Sequence, residues 1–297
     1  MTQTLPNTQQ DEPRLSRSEL EKIADLVKKE AGLDVIEMAE ALVFSRLMRR
    51  LRATGCHDFP AYLALVHSDA GGDERTAMIE ALTTNITRFY REPAHFRILA
   101  EQVLPGLRAR AVRGARVRLW SAGCSTGEEA YTMAAIILNG FPEATNHDIR
   151  ILATDINRRV LKEAETGIYS EERLDGLPGN LREILFSSSP HDGNSVKVRD
   201  SVKALVTFRQ LNLVSEWPLR GPFDVIFCRN VAIYMDQPTQ WQLWSRMERV
   251  LDPEGMLFIG HSERLGPDLA GKLLSCGPTS YCRGSSVQMT KEAGSWH

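Results

Sequence analysis

Apolar residues recur along this chain in two rhythms, and the change between them falls near residue 117. Before it the spacing is helical. Ser16-x-x-Glu19 reads as a capping box, and Leu20, Ile23, Ala24 and Val27 follow on one helical face. A second helix is expected over Val35–Ala53, with Met38, Leu42, Leu47 and Leu51 on its apolar side and Arg46, Arg49, Arg50 and Arg52 on its polar side. Asp58-Phe-Pro60 marks a third start, with Pro in the first turn, and a fourth helix runs from Asp73 to Leu82. Thr83–Arg91 has no helical period and reads as an ordered loop. Glu92-Pro93 restarts a helix to Leu107, and Arg108, Arg110, Arg113, Arg116 and Arg118 read as a solvated basic linker.

From Val117 short apolar runs alternate with amphipathic stretches. Strands are expected at Val117–Ser121, Ile149–Thr154, Val206–Leu211, Phe223–Cys228 and Met256–Gly260, and helices at Thr126–Asn139, Arg158–Thr166 and Gln237–Leu251. Such alternation implies right-handed crossovers and a parallel, doubly wound sheet. Between 167 and 204 the rhythm breaks into turn signals around Ser195-Val-Lys-Val-Arg199, which predicts a small inserted antiparallel sheet. Leu273–Cys276 and Thr279–Arg283 read as two last strands. The expected organisation is a tail at 1–14, a helical domain at 15–90, a connecting helix and linker at 91–116, an α/β domain at 117–284 with the insertion at 167–204, and a tail at 285–297.

Composition narrows the class. Across 297 residues, 42% hydrophobic and 25% charged content fit a globular protein with a substantial core. A net charge of −2 argues against bulk attraction to nucleic acid or anionic membrane. The five cysteines are scattered without a C-x-x-C pair, which fits reduced thiols in the cytoplasm rather than a disulfide framework or zinc site. No signal peptide and no membrane-spanning run are evident.

The candidate chemistry centres on Arg118-Leu-Trp-Ser-Ala-Gly-Cys-Ser-Thr-Gly-Glu-Glu-Ala-Tyr131, a strand, a glycine turn and the start of a helix that Thr126 is placed to cap. Gly123 and Gly127 are four apart and no Lys follows, so neither a dinucleotide fingerprint nor a phosphate loop is present. Glu128 and Glu129 would repel phosphate and suit a neutral or cationic ligand. An ordinary strand-to-helix turn is the alternative. Asp155, Asn212 and Arg229-Asn230 also fall at strand ends, where ligands of open α/β sheets bind. Asp155 can serve a ribose diol or cap the following helix.

Five ordered stretches carry a resemblance: Thr-Thr-Asn-Ile-Thr-Arg-Phe-Tyr-Arg-Glu, Trp-Ser-Ala-Gly-Cys-Ser-Thr-Gly-Glu-Glu-Ala-Tyr, Ala-Thr-Asp-Ile-Asn, Phe-Asp-Val-Ile-Phe-Cys-Arg-Asn-Val-Ala-Ile-Tyr and Gly-His-Ser-Glu. Over residues 15–284 the chain resembles the chemotaxis receptor methyltransferases, the CheR family. The resemblance implies a Rossmann-like S-adenosylmethionine methyltransferase domain, an N-terminal all-helical domain and an inserted β-subdomain. It implies methyl esterification of glutamate side chains on chemoreceptor cytoplasmic helices, with S-adenosylhomocysteine as product and no metal. Cofactor contacts are implied for Asn85, Thr87, Arg91, Gly123, Asp155, Asn212, Leu213, Arg229 and Asn230, with Glu128 or Glu129 as the main acidic contact. Arg91 is the candidate for orienting the substrate carboxylate, and Tyr234 for a wall and a hydroxyl contact.

The carboxylate nucleophile is already ionised at neutral pH, so no catalytic base is required, and His261 reads as structural. The receptor's cytoplasmic domain is the expected partner, docked through Arg46, Arg49, Arg50 and Arg52 on a monomer, with no nucleic acid and no membrane insertion. Some family members grip a receptor C-terminal tether with a glycine-containing loop of the insertion. The corresponding stretch, Phe186–Asn194, gives no secure alignment, and tether binding stays open. Two other functions remain beside receptor methylation: a non-catalytic S-adenosylmethionine-binding signalling module, and methylation of a non-receptor protein.

Overall fold

Four helices carry the first rhythm: α1 (Arg17–Ala31), α2 (Glu40–Thr54), α3 (Phe59–His67) and α4 (Gly72–Leu82). The computed structural model describes residues 13–187 and 194–283 and divides between Thr83 and Thr84 into two units. Nearly all of the tail expected at 1–14, the tail at 285–297 and most of the loop at 186–194 lie outside the described residues. Ser16 and Glu19 form the reciprocal cap of α1, with Ser16 N–H donating to Glu19 Oε2 at 2.7 Å and Glu19 N–H to Ser16 Oγ at 3.3 Å. Helix α2 begins at Glu40, later than the expected Val35. The Asp34 carboxylate takes the Ile36 N–H at 3.2 Å and holds a turn that competes with helix there.

The basic face of α2 is divided. Arg50 binds Glu74 of α4 through Nε at 3.0 Å and Nη2 at 2.5 Å, and Tyr62 donates to the same carboxylate at 2.6 Å. Arg46 donates to the Leu82 carbonyl at 2.8 Å. These two arginines cross-link helices, while Arg49 and Arg52 are exposed.

The second unit opens with a continuous helix: α5 (Pro93–Ile98), a wider π turn over Leu99–Val103, and α6 (Leu104–Val112). Pro105 has no N–H to give Glu101, which accounts for the slackened turn before it. The alternating region then runs β1 (Val117–Ala122), α7 (Glu128–Gly140), β2 (Ile149–Asp155), α8 (Arg158–Thr166), β3 (Ile168–Ser170), α9 (Gly179–Leu185), β4 (Phe186–Ser187), β5 (Ser195–Val198), α10 (Asp200–Lys203), β6 (Val206–Gln210), β7 (Phe223–Cys228), α11 (Gln237–Val250), β8 (Leu251–Ile259), β9 (Leu273–Gly277) and β10 (Ser280–Arg283).

The main sheet has seven strands in the order β6-β2-β1-β7-β8-β10-β9. Its first five strands are parallel, and β10 is antiparallel to both neighbours. The chain leaves β1 toward β2 and β6, then returns to place β7 on the other side of β1. This reversal opens a crevice beyond the carboxyl ends of β1 and β7. The pairings Ser121↔Phe227 and Ala122↔Thr154 bring Gly123, Arg229 and Asp155 to that one edge.

Alternation along β1 feeds two cores. Leu119 packs with Tyr131, Phe208, Phe227 and Phe258, whereas Trp120 packs with Ile226, Trp244 and Leu257. The insertion forms an antiparallel sheet ordered β3-β5-β4, and it also contains α9, α10 and a single turn at Glu171–Leu174 that strand-like alternation did not reveal. Among the described residues no helix is long and apolar enough to cross a membrane.

Of the five arginines expected to form a solvated linker, Arg113 and Arg116 are exposed as expected, whereas Arg108, Arg110 and Arg118 are engaged with the sheet and its flanking segments. Helix α6 passes Leu107 and reaches Val112. Arg110 Nη1 lies 2.6 Å from Asp224 Oδ1, and the same carboxylate takes the Arg118 N–H at 2.7 Å. Arg118 Nη2 in turn reaches Asp148 Oδ1 at 2.7 Å, and Arg108 lies 5.2 Å over the Phe141 ring. A carboxylate buried in β7 requires such partners, and burial pushes the Asp224 carboxyl above the usual range even so. Arg110→Ala should therefore destabilise the protein by roughly 1–3 kcal/mol, read from urea unfolding, and Asp224→Asn in the same chain should recover part of the loss. Additive losses in the double variant would deny the pairing.

Candidate active site

The turn after β1 is shaped by close backbone approach. Gly123 has φ +78°, and a Cβ there would stand 2.3 Å from Val231 Cγ2. The N–H groups of Gly123 and Cys124 both donate to the Thr154 carbonyl, at 2.7 and 2.9 Å. Ser125 donates its N–H to Asp155 Oδ2 at 2.8 Å and its Oγ to the Asn85 carbonyl at 2.9 Å, so the turn ties β2 to the Asn85–Arg91 loop. Gly127, at φ +94°, is the N-cap of α7. Thr126 does not cap the helix as expected. It lies one residue early and donates to Glu128 Oε2 at 2.7 Å.

The two adjacent acids face different surroundings. Glu128 is fully buried and turns toward the insertion, where Arg173 Nη1 meets its Oε1 at 3.0 Å. Glu129 turns toward the sheet edge: Ser121 Oγ donates to its Oε1 at 2.7 Å, and Arg229 Nη1 lies 3.3 Å from its Oε2. Burial pushes both carboxyls up, with Arg229 pulling Glu129 back and Thr126, followed by Arg173, pulling Glu128 back.

Asp155 is 8% exposed and accepts the N–H groups of Ser125 and Asn157, the latter at 2.9 Å. It does not cap the next helix, because Asn157 does so through Arg159 N–H at 2.9 Å. Leu211 N–H donates to the Asp155 carbonyl at 3.0 Å and so places Asn212 and Leu213 alongside. Asn212 Oδ1 takes the Val214 N–H at 3.1 Å, and the Leu213 carbonyl is held by Arg246 Nη1 at 2.8 Å.

Arg229, its side chain 2% exposed, joins the remaining pieces. Its guanidinium contacts Glu129, lies 3.5 Å from Glu92 Oε2, donates to the Arg91 carbonyl, and sits over the rings of Phe96 and Phe227. Arg91 donates from Nη1 to the Ile86 carbonyl at 3.1 Å. Thr87 and Tyr234 are both half-buried, the latter in a single turn, Ala232–Tyr234, after β7.

A further residue, missed from sequence, is Glu263. Its buried carboxylate collects the N–H groups of Val231 (2.9 Å) and Ala232 (2.8 Å) on Oε1, and of Asn230 (3.1 Å) and Gly260 (2.5 Å) on Oε2. His261, expected to be structural in the Gly-His-Ser-Glu motif, is exposed, and the structural bonds are made by Glu263 instead. An acid three residues past a strand-terminal glycine was the available signal. Tyr90, Glu92, Ser125 and Asn230 all adopt positive φ, between +49° and +59°, so strained backbone is concentrated around this crevice.

Sheet order, glycine turn and strand-end acid define a Rossmann-like S-adenosylmethionine-dependent methyltransferase. The residues present fit that cofactor: carboxylates rather than cations stand at the start of α7, the turn leaves no room for a Cβ at Gly123, and an acid ends β2. Residues 85–281 match the family described as CheR methyltransferase, SAM binding domain, and residues 18–83 match its all-alpha domain. The chain belongs to the CheR methyltransferase family.

It is 42% identical over 257 residues to a probable chemotaxis protein methyltransferase of Rhizobium etli, covering 86% of this chain and 96% of that one. A chemotaxis protein methyltransferase of Klebsiella aerogenes is also 42% identical, over 94% of this chain and 91% of its own. One from Escherichia coli is 40% identical over 84% and 85%.

Behind the site, His95 is 1% exposed, donates from Nε2 to the Pro278 carbonyl at 2.9 Å and places Nδ1 3.4 Å from Glu92 Oε2. Burial, with Arg229 nearby, brings its pKa down to about 4 from 6.5. A depressed pKa means that the fold excludes the imidazolium. Stability from His95 is present above pH 6.5 and is lost as the pH falls toward about 4, by roughly 3 kcal/mol in all. Unfolding free energies of wild type and His95→Gln should converge over that window; parallel curves would contradict the buried neutral ring.

Proposed function

We propose that this protein transfers the methyl group of S-adenosylmethionine to glutamate side chains on the cytoplasmic helices of chemoreceptors, forming methyl esters in chemosensory adaptation. The observation that carries the reading is the acidic start of α7, with Glu129 held by Arg229 at the switch point of a chain that matches both CheR domains. Of the two acids, Glu129 suits the cofactor's ammonium, because Glu128 faces Arg173. Asp155 suits the ribose hydroxyls. Asn85, Thr87, Gly123, Asn212, Leu213 and Asn230 complete the contacts, and Arg229 serves by holding Glu129 and the Arg91 backbone.

S-Adenosylmethionine supplies an electrophilic methyl on a sulfonium. The acceptor carboxylate is ionised at neutral pH, so the chain's task is alignment, which can contribute roughly 7–11 kcal/mol. Arg91 is the group proposed to orient the acceptor: one N–H is engaged at the Ile86 carbonyl, and the guanidinium carries five in all. Tyr234 lines the acceptor side. Docking on an acidic receptor helix falls to the exposed Arg49 and Arg52, since Arg46 and Arg50 are engaged within their own unit.

Labelled methyl from S-adenosylmethionine should enter receptor cytoplasmic fragments as a base-labile ester. Glu129→Gln should weaken S-adenosylhomocysteine binding by roughly 1–3 kcal/mol in calorimetry. Base-stable label would refute the ester, and unchanged affinity would remove Glu129 from the site. Separately, the double reversal Arg49→Glu, Arg52→Glu should slow receptor methylation at low salt and much less at high salt. Equal rates at both would make that surface irrelevant to docking.

A further inference from the structure

The inserted subdomain and the glycine turn are joined more closely than an appended module would require. Arg173 lies in the single turn Glu171–Leu174 of the insertion. Its Nη1 donates to Glu128 Oε1 at 3.0 Å and to Thr126 Oγ1 at 3.2 Å, while Nη2 lies 3.1 Å from Glu163 Oε1. Tyr169 of β3 donates its hydroxyl to the Thr126 carbonyl at 2.6 Å. A Cβ on Gly127 would lie 3.2 Å from that same hydroxyl and 2.8 Å from Ala164 Cβ, so the turn rests against these groups without slack. The other wall leans on the insertion too. Phe89, in the Asn85–Arg91 loop, meets Tyr169 and Phe186 edge-on with ring centroids 5.0 and 5.3 Å apart.

We propose that Arg173 is a positioning residue for the cofactor turn, so that the insertion sets cofactor affinity through the Arg173–Glu128 pair. Glu128 has 0% exposure, and a buried carboxylate without its cation either drives the turn to rearrange or takes up a proton. Glu129 is the next residue, so any rearrangement of the turn displaces the acid assigned to the ammonium. By linkage, whatever moves the insertion alters cofactor binding, and cofactor binding alters the insertion to the same degree. This inference rests on the cofactor reading given above.

The test is calorimetric titration of S-adenosylhomocysteine into the full chain, with a melting temperature recorded for each variant. Arg173→Gln should bind about tenfold more weakly than wild type, the scale of one lost charged contact. In Glu128→Gln the buried group is neutral, so adding Arg173→Gln to it should cost little further affinity. Arg182→Gln breaks an exposed pair with Glu171 inside the insertion, at 2.7 Å, and should bind as wild type does. Wild-type affinity in Arg173→Gln, while Glu129→Gln is weakened, would overturn the proposal alone. So would full additivity in the double variant, or an equal loss in Arg182→Gln. Unweakened binding in Glu129→Gln would instead sink the underlying site assignment.

Discussion

One buried guanidinium holds the site together. Arg229 follows a strand of six buried residues and has nowhere to place its charge except among Glu129, Glu92 and the Arg91 carbonyl, between two phenyl rings. Each partner belongs to a different segment: the start of α7, the entry to α5, and the loop that precedes it. Placing a cation there would be costly without these acids, and the acids would be costly without the cation. The three segments therefore adopt their positions together. His95 shows how far this constraint reaches, since the same charge helps keep its imidazole neutral and its Nε2 bonded to the turn between β9 and β10.

Strain is distributed accordingly. Non-glycine residues at positive φ cost on the order of 1–3 kcal/mol each and persist only where surroundings over-determine them. Ser125 is fixed by Asp155 and the Asn85 carbonyl, and Asn230 by Glu263 and Glu92. Glu263 acts as an internal anchor for the whole return after β7, binding four consecutive or facing N–H groups that would otherwise be orphaned next to Gly260. A rim whose strained residues are each held by named hydrogen bonds suits the proposed reaction, in which the chain's task is alignment.

The elements were largely legible in the sequence because buried parallel strands are short continuous apolar runs that alternate with amphipathic helices, whereas the order of the strands in the sheet is not set by that alternation. What depended on side-chain destination was not legible. Arg110 and Arg118 read as part of a solvated run because nothing in one dimension shows Asp224 or Asp148 waiting for them, and the same holds for Arg108 over the Phe141 ring. The engagement of Arg46 with Leu82 and of Arg50 with Glu74 is hidden from the sequence for the same reason. Thr126 was read as a cap by residue type, whereas the left-handed Gly127 takes that place. His261 reads from sequence as the structural residue of its motif, whereas it is exposed and the buried acid two positions on makes the structural bonds there.

The adjacent glutamates show why a motif can be clear and its chemistry still undivided. Consecutive residues in the first turn of a helix point about 100° apart, so Glu128 and Glu129 cannot serve one ligand equally. Both gain from the helix dipole, which favours negative charge at this end. Yet one is consumed by Arg173 of the insertion and the other is presented at the switch point under Arg229. On the proposed reading the second acid faces the cofactor's ammonium. The first supports the turn, through a residue that lies outside the Rossmann-like core altogether.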